Sequence, residues 1–148
     1  TKGFNQEDFA MRHPGGILGR RLFLRVEDLM HRGDKLPLVS EDTPIKDALF
    51  EITSKRLGIT GVVDSDGKLT GVITDGDLRR GLESKGDIFR YKAKQLMTHN
   101  AKNIAADSLA AEAVALMEQH SITCLFVLHG DGKPSGVIHL HDLLKAGL

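Results

Sequence analysis

The sequence predicts an α+β protein made of two β-α-β-β-α units packed as a pseudo-two-fold pair. Three observations carry this prediction. Gly71-Val72-Ile73-Thr74-Asp75-Gly76-Asp77-Leu78 is echoed by Gly136-Val137-Ile138-His139-Leu140-His141-Asp142-Leu143, with the same apolar run and the same Asp-Leu but different polar residues between them. Val26-Glu27-Asp28-Leu29-Met30 is matched by Ala93-Lys94-Gln95-Leu96-Met97. Between these landmarks each copy carries one apolar stripe at helical spacing, Ile45, Ala48, Leu49 and Ile52 in the first and Ala110, Ala113, Val114 and Met117 in the second. A pattern repeated at fixed offset marks a duplicated structural unit, and the i, i+3, i+4, i+7 spacing marks an amphipathic helix.

The remaining elements follow in order. A short strand precedes each long helix, at 36–39 and 103–105. Thr43 and Ser108 read as N-caps, and Pro44 suits a first helical position because it has no N–H to leave unpaired. Two β-rich runs come next. In the first copy, 59–63 and 69–73 flank the turn Asp64-Ser65-Asp66-Gly67-Lys68; in the second, 122–128 and 135–138 flank His129-Gly130-Asp131-Gly132-Lys133-Pro134. Asp-Gly between β-rich runs is hairpin chemistry. A short helix closes each unit, at 75–84 and 140–146. Each unit therefore holds a three-stranded mixed sheet flanked by helices. One such unit is too small to bury both helix stripes, so two copies are expected to pack sheet against sheet around a shared core. Residues 84–92 link them.

Composition removes several function classes. The chain has 148 residues, 41% of them hydrophobic, enough for a packed core. Twenty Lys and Arg balance 20 Asp and Glu, which disfavours a general nucleic-acid binder. There is no tryptophan and one tyrosine, too few for aromatic stacking platforms. No apolar run reaches the ~20 residues of a membrane-spanning helix, and no signal peptide is visible. A single cysteine, Cys124, fits a reducing cytoplasm and reads as a small core residue. The chain begins at Thr1 rather than Met, so it reads as a piece of a longer protein.

The repeat architecture over residues 26–148 resembles a tandem pair of CBS domains, a Bateman module. The lead segment Met11-Arg12-His13-Pro14-Gly15-Gly16-Ile17-Leu18-Gly19-Arg20-Arg21-Leu22 is similar to the closing motif of the sugar-isomerase domain in D-arabinose 5-phosphate isomerases. In that family a CBS pair follows such a motif directly. The resemblance implies that residues 1–25 are the tail of the isomerase domain and a linker, with one CBS repeat at 26–86 and the other at 87–148. It also implies a parent enzyme that interconverts ribulose 5-phosphate and arabinose 5-phosphate, feeding the Kdo branch of lipopolysaccharide synthesis. His13 then corresponds to an active-site histidine, and the fragment alone is expected to be inactive. Such modules pair as homodimers, and the parent is expected to be a tetramer.

Thr74-Asp75-Gly76-Asp77 is the sharpest candidate site. It lies where a strand meets a helix, and free N–H groups there attract phosphate. The Thr74 hydroxyl can donate to a phosphate oxygen. Asp77 can accept from two ribose hydroxyls, a role acidic residues play in other nucleotide folds and one the matching aspartate plays in CBS domains. Arg79 and Arg80 add positive charge nearby. The same Thr-x-x-Asp spacing is also a capping box, which only starts a helix. In the second copy His139, His141 and Asp142 occupy the equivalent positions. His139 reads as a poor cap and, when protonated, as a contact for a phosphate or sugar acid. A His-x-His-Asp cluster lacks the ligand number expected of a zinc site, so no metal is assigned. Thr60 and Thr123, each after an isoleucine, are candidates to line the cleft. The expected ligand is a regulatory nucleotide such as CMP-Kdo, CMP or an adenine nucleotide, with no cofactor. The competing reading is a dimerisation scaffold that binds nothing.

Overall fold

The computed structural model describes residues 22–148; His13, Arg20, Arg21 and the rest of the motif around them lie outside the described residues. Among the described residues, helices and strands are interleaved along the chain. The helices are α1 (Val26–Leu29), α2 (Ile45–Lys55), α3 (Asp75–Lys85), α4 (Ala93–Leu96), α5 (Ala110–His120) and α6 (Leu140–Lys145). The strands are β1 (Leu38–Ser40), β2 (Ile59–Val63), β3 (Leu69–Thr74), β4 (Thr98–His99), β5 (Asn103–Ala105), β6 (Cys124–Leu128) and β7 (Pro134–His139). One sheet runs β1-β2-β3-β4 and the other β5-β6-β7. In both, a parallel pair (β1 with β2, β5 with β6) is followed by an antiparallel hairpin.

The first sheet has four strands where three were expected. The extra strand, β4, comes from the second repeat and pairs Gly71 with His99 and Val72 with Thr98. The pseudo-equivalent contact in the second sheet is a single bridge, His31 to Val137. The reason is an exchange between the units. Val26 and Glu27 donate their amides to the Ser108 and Ala106 carbonyls at 2.9 and 3.0 Å, and Ala93 and Lys94 donate theirs to Thr43 and Glu41 at 2.8 and 3.0 Å. The lead turn of each repeat is thus built into the opposite repeat. Met30 and Met97 follow the same exchange. A β-carbon on Gly136 would lie 2.5 Å from the Met30 sulfur, and one on Gly71 would lie 2.7 Å from that of Met97. Glycine is required there because a side chain from the other repeat fills the space.

The caps of the long helices sit one residue later than expected. Pro44 and Leu109, both extended, are the cap residues rather than Thr43 and Ser108. The Thr43 hydroxyl instead accepts from the Ser40 amide at 3.0 Å, closing the preceding turn. At α5 the Glu112 carboxylate accepts from the Leu109 amide at 2.8 Å, so the N-terminus is satisfied from inside the helix.

The core divides into three. Val26, Met117, Leu125, Ile138 and Leu143 form one helix–sheet cluster. Ile45, Ile52, Val62, Ile73 and Leu96 form its counterpart. Ile59, Val72, Phe126 and Val137 join the two sheets face to face. Gly61 and Phe126 are pseudo-equivalent positions that face each other there. A β-carbon on Gly61 would stand 3.0 Å from the Phe126 ring, so the missing side chain of one copy makes room for the aromatic ring of the other.

Candidate functional site

The Thr74-Asp77 box forms as its spacing predicts. Thr74 ends β3 in extended conformation and caps α3. The Asp77 amide donates to the Thr74 hydroxyl oxygen at 3.2 Å. In return Asp77 Oδ2 accepts from the Thr74 amide at 2.9 Å and from its hydroxyl at 3.1 Å. Oδ1 accepts from Arg80 at 2.8 Å and from the Thr98 hydroxyl at 2.7 Å. Asp77 is 7% exposed, the one buried charged residue among the described residues. Burial pushes its pKa up, but donation from Thr98, the Thr74 amide, Arg80 and the Thr74 hydroxyl outweighs burial, and the net shift is below the usual aspartate value. The side chain is therefore an anion held in a net of donors.

A cavity of about 680 Å³ opens beside this box, between the repeats. The first repeat contributes Gly58, Thr74, Asp75, Gly76, Asp77 and Arg80; the second contributes Thr98, Asn100, Lys102, His120 and Thr123. Leu57, Ile59, Val72, Ile122 and Phe126 make apolar walls. The cavity thus offers apolar surface, a buried carboxylate that can accept from hydroxyl groups, and cationic side chains for anions. The amides of Asp75 and Gly76, in the first turn of α3, take no acceptor among the described residues.

Other sequence-derived candidates scatter. Thr123 lines the cavity, but Thr60 is fully buried and donates to the Gly61 carbonyl at 3.2 Å, away from the cavity. Arg79 is exposed on α3 and is not part of the lining, whereas Arg80 is. Cys124 is not a plain core residue. It touches the inter-sheet core and also lines the cavity; burial, and then the charge of Asp142, push its thiol pKa up to about 12.

The second copy is built differently. His139 is a cap after all, since its Nδ1 accepts from the His141 amide at 3.0 Å. That bond requires an unprotonated Nδ1. Asp142 accepts from the His139 amide at 3.0 Å, and both of its oxygens face His31 Nε2, at 3.1 and 3.0 Å. His139, His141 and Asp142 do not border the 680 Å³ cavity. The nearby hollow, about 520 Å³, is bordered by His31, Asp34, Lys35, Ser54, Lys55 and Leu57. No group of three or more metal-ligating side chains occurs among the described residues.

Thr98 and His31 escaped the sequence reading. Each follows the methionine of a lead turn, and each reaches the aspartate of the opposite repeat. The signal was available: the two lead turns align, so residue 31 maps onto residue 98. Nothing in the local sequence says that the lead turns are exchanged.

Comparison with known proteins places this geometry in context. The CBS domain model matches residues 26–84 and 93–148. The chain is 50% identical over all 148 residues to arabinose 5-phosphate isomerase KdsD of Pseudomonas aeruginosa, covering 45% of that protein. The chain therefore spans about half the length of the curated relatives it matches. Among solved structures it resembles the CBS domain pair of MJ0100 in complex with 5′-methylthioadenosine and S-adenosyl-L-methionine, at TM-score 0.74 and 19% identity, over 83% of this chain and 94% of that one. It also resembles CBSX2 in complex with AMP, at TM-score 0.71 and 25% identity, over 83% of this chain and 95% of that one.

Proposed function

Because the chain belongs to the CBS-domain family, carrying two such domains in tandem, we propose that it is the nucleotide-sensing module of an arabinose-5-phosphate isomerase. In this reading repeat one is 26–86 and repeat two is 87–148, after an isomerase tail at 1–25 that carries His13. The isomerase reaction, ribulose 5-phosphate to arabinose 5-phosphate, belongs to the parent chain in the cytoplasm, and this fragment is inactive alone. The observation that carries the reading is the cavity between the repeats, lined by Asp77 of the first and by Lys102 and His120 of the second. A nucleotide fits its chemistry. The base lies between apolar walls and the ribose hydroxyls are taken by Asp77. The phosphate meets Thr74, the first amides of α3 and the cationic side chains.

Because both repeats line the cavity, a bound ligand ties them together. It can shift the module only as far as it binds one arrangement more tightly than another. CMP-Kdo, CMP and the adenine nucleotides are the ligands to test. The test is a thermal-shift series with these compounds on wild type and Asp77→Asn. A ligand that binds the folded state raises the melting temperature by mass action, roughly 2–4 °C per kcal/mol for a domain of this size. A saturable rise lost in Asp77→Asn supports the sensor. No rise with any compound overturns it.

Two observations favour a second reading, a ligand-free scaffold for a homodimer within a tetrameric parent. Both Asp77 oxygens are already taken by protein donors. Phe50, Leu82 and Phe89 are also 72%, 55% and 56% exposed, apolar surface that a second copy would cover. A dimer that ignores every nucleotide would support this reading.

A further inference from the structure

The two aspartates that the duplication placed at equivalent positions are occupied by different groups, and the difference lies in residues that reach them from the other repeat. At Asp77 the crossing group is the Thr98 hydroxyl, on Oδ1 alone, at 2.7 Å. The other donor on that oxygen, Arg80, has a side chain 68% exposed and can swing away. A hydroxyl and a mobile guanidinium can be replaced by a ligand's hydroxyl groups without leaving a bulky group in the way. At Asp142 the crossing group is the imidazole of His31. It lies across both oxygens, at 3.1 and 3.0 Å, while its backbone is fixed to Val137 by two hydrogen bonds of 2.8 and 3.0 Å. The ring cannot leave without breaking that bridge or finding a new rotamer.

The first turn of α6 is occupied too. The Leu140 amide donates to the Thr123 carbonyl at 2.8 Å and the His141 amide to His139 Nδ1 at 3.0 Å. The corresponding amides of Asp75 and Gly76 in the first repeat take no acceptor among the described residues. In agreement, Thr74 and Asp77 border the 680 Å³ cavity, whereas the 520 Å³ hollow beside the second box is bordered by His31 and not by Asp142.

We propose that His31 is the specificity-determining residue that closes the second repeat to ligands carrying a vicinal diol, so that the module binds one such ligand per chain, at Asp77. The proposal rests on the sensor reading for the identity of the open site, but the closure of Asp142 is a separate claim. His31 acts by occupying the carboxylate, and His139 assists by filling the helix turn beside it. The duplicated unit has thereby been divided into a binding half and a locked half.

Isothermal titration of the dimer or monomer as isolated tests this directly. The probes are AMP and CMP, with 2′,3′-dideoxy-AMP as the control that lacks the diol. The proteins are wild type, His31→Thr, and the double variant carrying His31→Thr and His139→Thr, which restores the polar residues of the first repeat. Wild type should bind one probe per chain. The double variant should gain a second, weaker event that the dideoxy probe does not produce, a readout that a purely structural role for His31 would not give. Melting temperature of each variant without ligand verifies folding, and the single variant serves if the double one unfolds. Two events in wild type overturn the proposal, as does a folded variant that gains none. If wild type binds neither probe, the sensor reading fails. The proposal then stands only if the variant acquires a diol-dependent event.

Discussion

Replacing Asp77 by alanine should destabilise the folded protein well beyond the loss of an ordinary surface cap. The carboxylate accepts from four donors: the Thr74 amide, the Thr74 hydroxyl, Arg80 and the Thr98 hydroxyl. Losing a side-chain cap costs about 0.5–2 kcal/mol. Hydrogen bonds to a charged group are each worth about 1.5–3 kcal/mol, although bonds sharing one carboxylate do not add fully. Arg80 is mostly exposed, so its ion pair is screened and contributes little. Together these give about 2–4 kcal/mol, or roughly 5–15 °C in melting temperature for a chain of this length. The Thr98 bond adds a specific feature, because it joins β4 to the opposite repeat. Asp77→Ala should therefore also speed hydrogen exchange at Thr98 and His99. The assay is urea unfolding followed by circular dichroism, with amide exchange on the same sample. A loss under about 0.5 kcal/mol, the range of surface substitutions, would mean that the four donors do not hold Asp77 as described.

Other outcomes follow from the same geometry. Asp77 has a folded-state pKa below its unfolded value, so the stability it contributes is present above the unfolded pKa and lost as pH falls through the folded one. Unfolding free energy measured from pH 6 downward should fall below about pH 4, and should fall less in Asp77→Asn. Phe126→Ala empties the space that Gly61 leaves between the sheets and should cost about 3–5 kcal/mol in urea unfolding. Gly71→Ala places a methyl 2.7 Å from the Met97 sulfur and 2.8 Å from the Thr98 carbonyl, and should cost about 1–3 kcal/mol by the same measurement. Cys124, with its thiol pKa pushed up to about 12, should react with a disulfide reagent at pH 8 far more slowly in the folded protein than in urea.

Much of this architecture can be read from the sequence because it is written twice in periodic patterns. The helix stripes at Ile45–Ile52 and Ala110–Met117 and the hairpins around Asp66-Gly67 and Asp131-Gly132 are local signals, and each appears where its spacing places it. The Thr74-Asp77 capping box is local too. What stayed hidden depends on which parts of the chain meet. The exchange of lead turns, the fourth strand at Thr98–His99 and the crossing residues Thr98 and His31 join positions at least 21 apart in sequence, up to 111 for His31 and Asp142. Thr60 and Thr123 follow identical isoleucines, yet one is sealed in the sheet and the other faces the cavity. The helix after Pro44 starts one residue late because Thr43 spends its hydroxyl on the preceding turn. His139 caps α6 through a ring nitrogen, a use that residue-type preferences do not anticipate.

The most direct measurement is amide chemical-shift mapping of the labelled module titrated with CMP-Kdo, CMP and AMP. One of these should shift Gly58, Thr74–Asp77, Thr98, Lys102, His120 and Thr123 together and saturably, with His139–Asp142 little changed. No shift with any of them, or shifts centred on His139–Asp142 while Thr74–Asp77 stay still, would contradict the sensor reading.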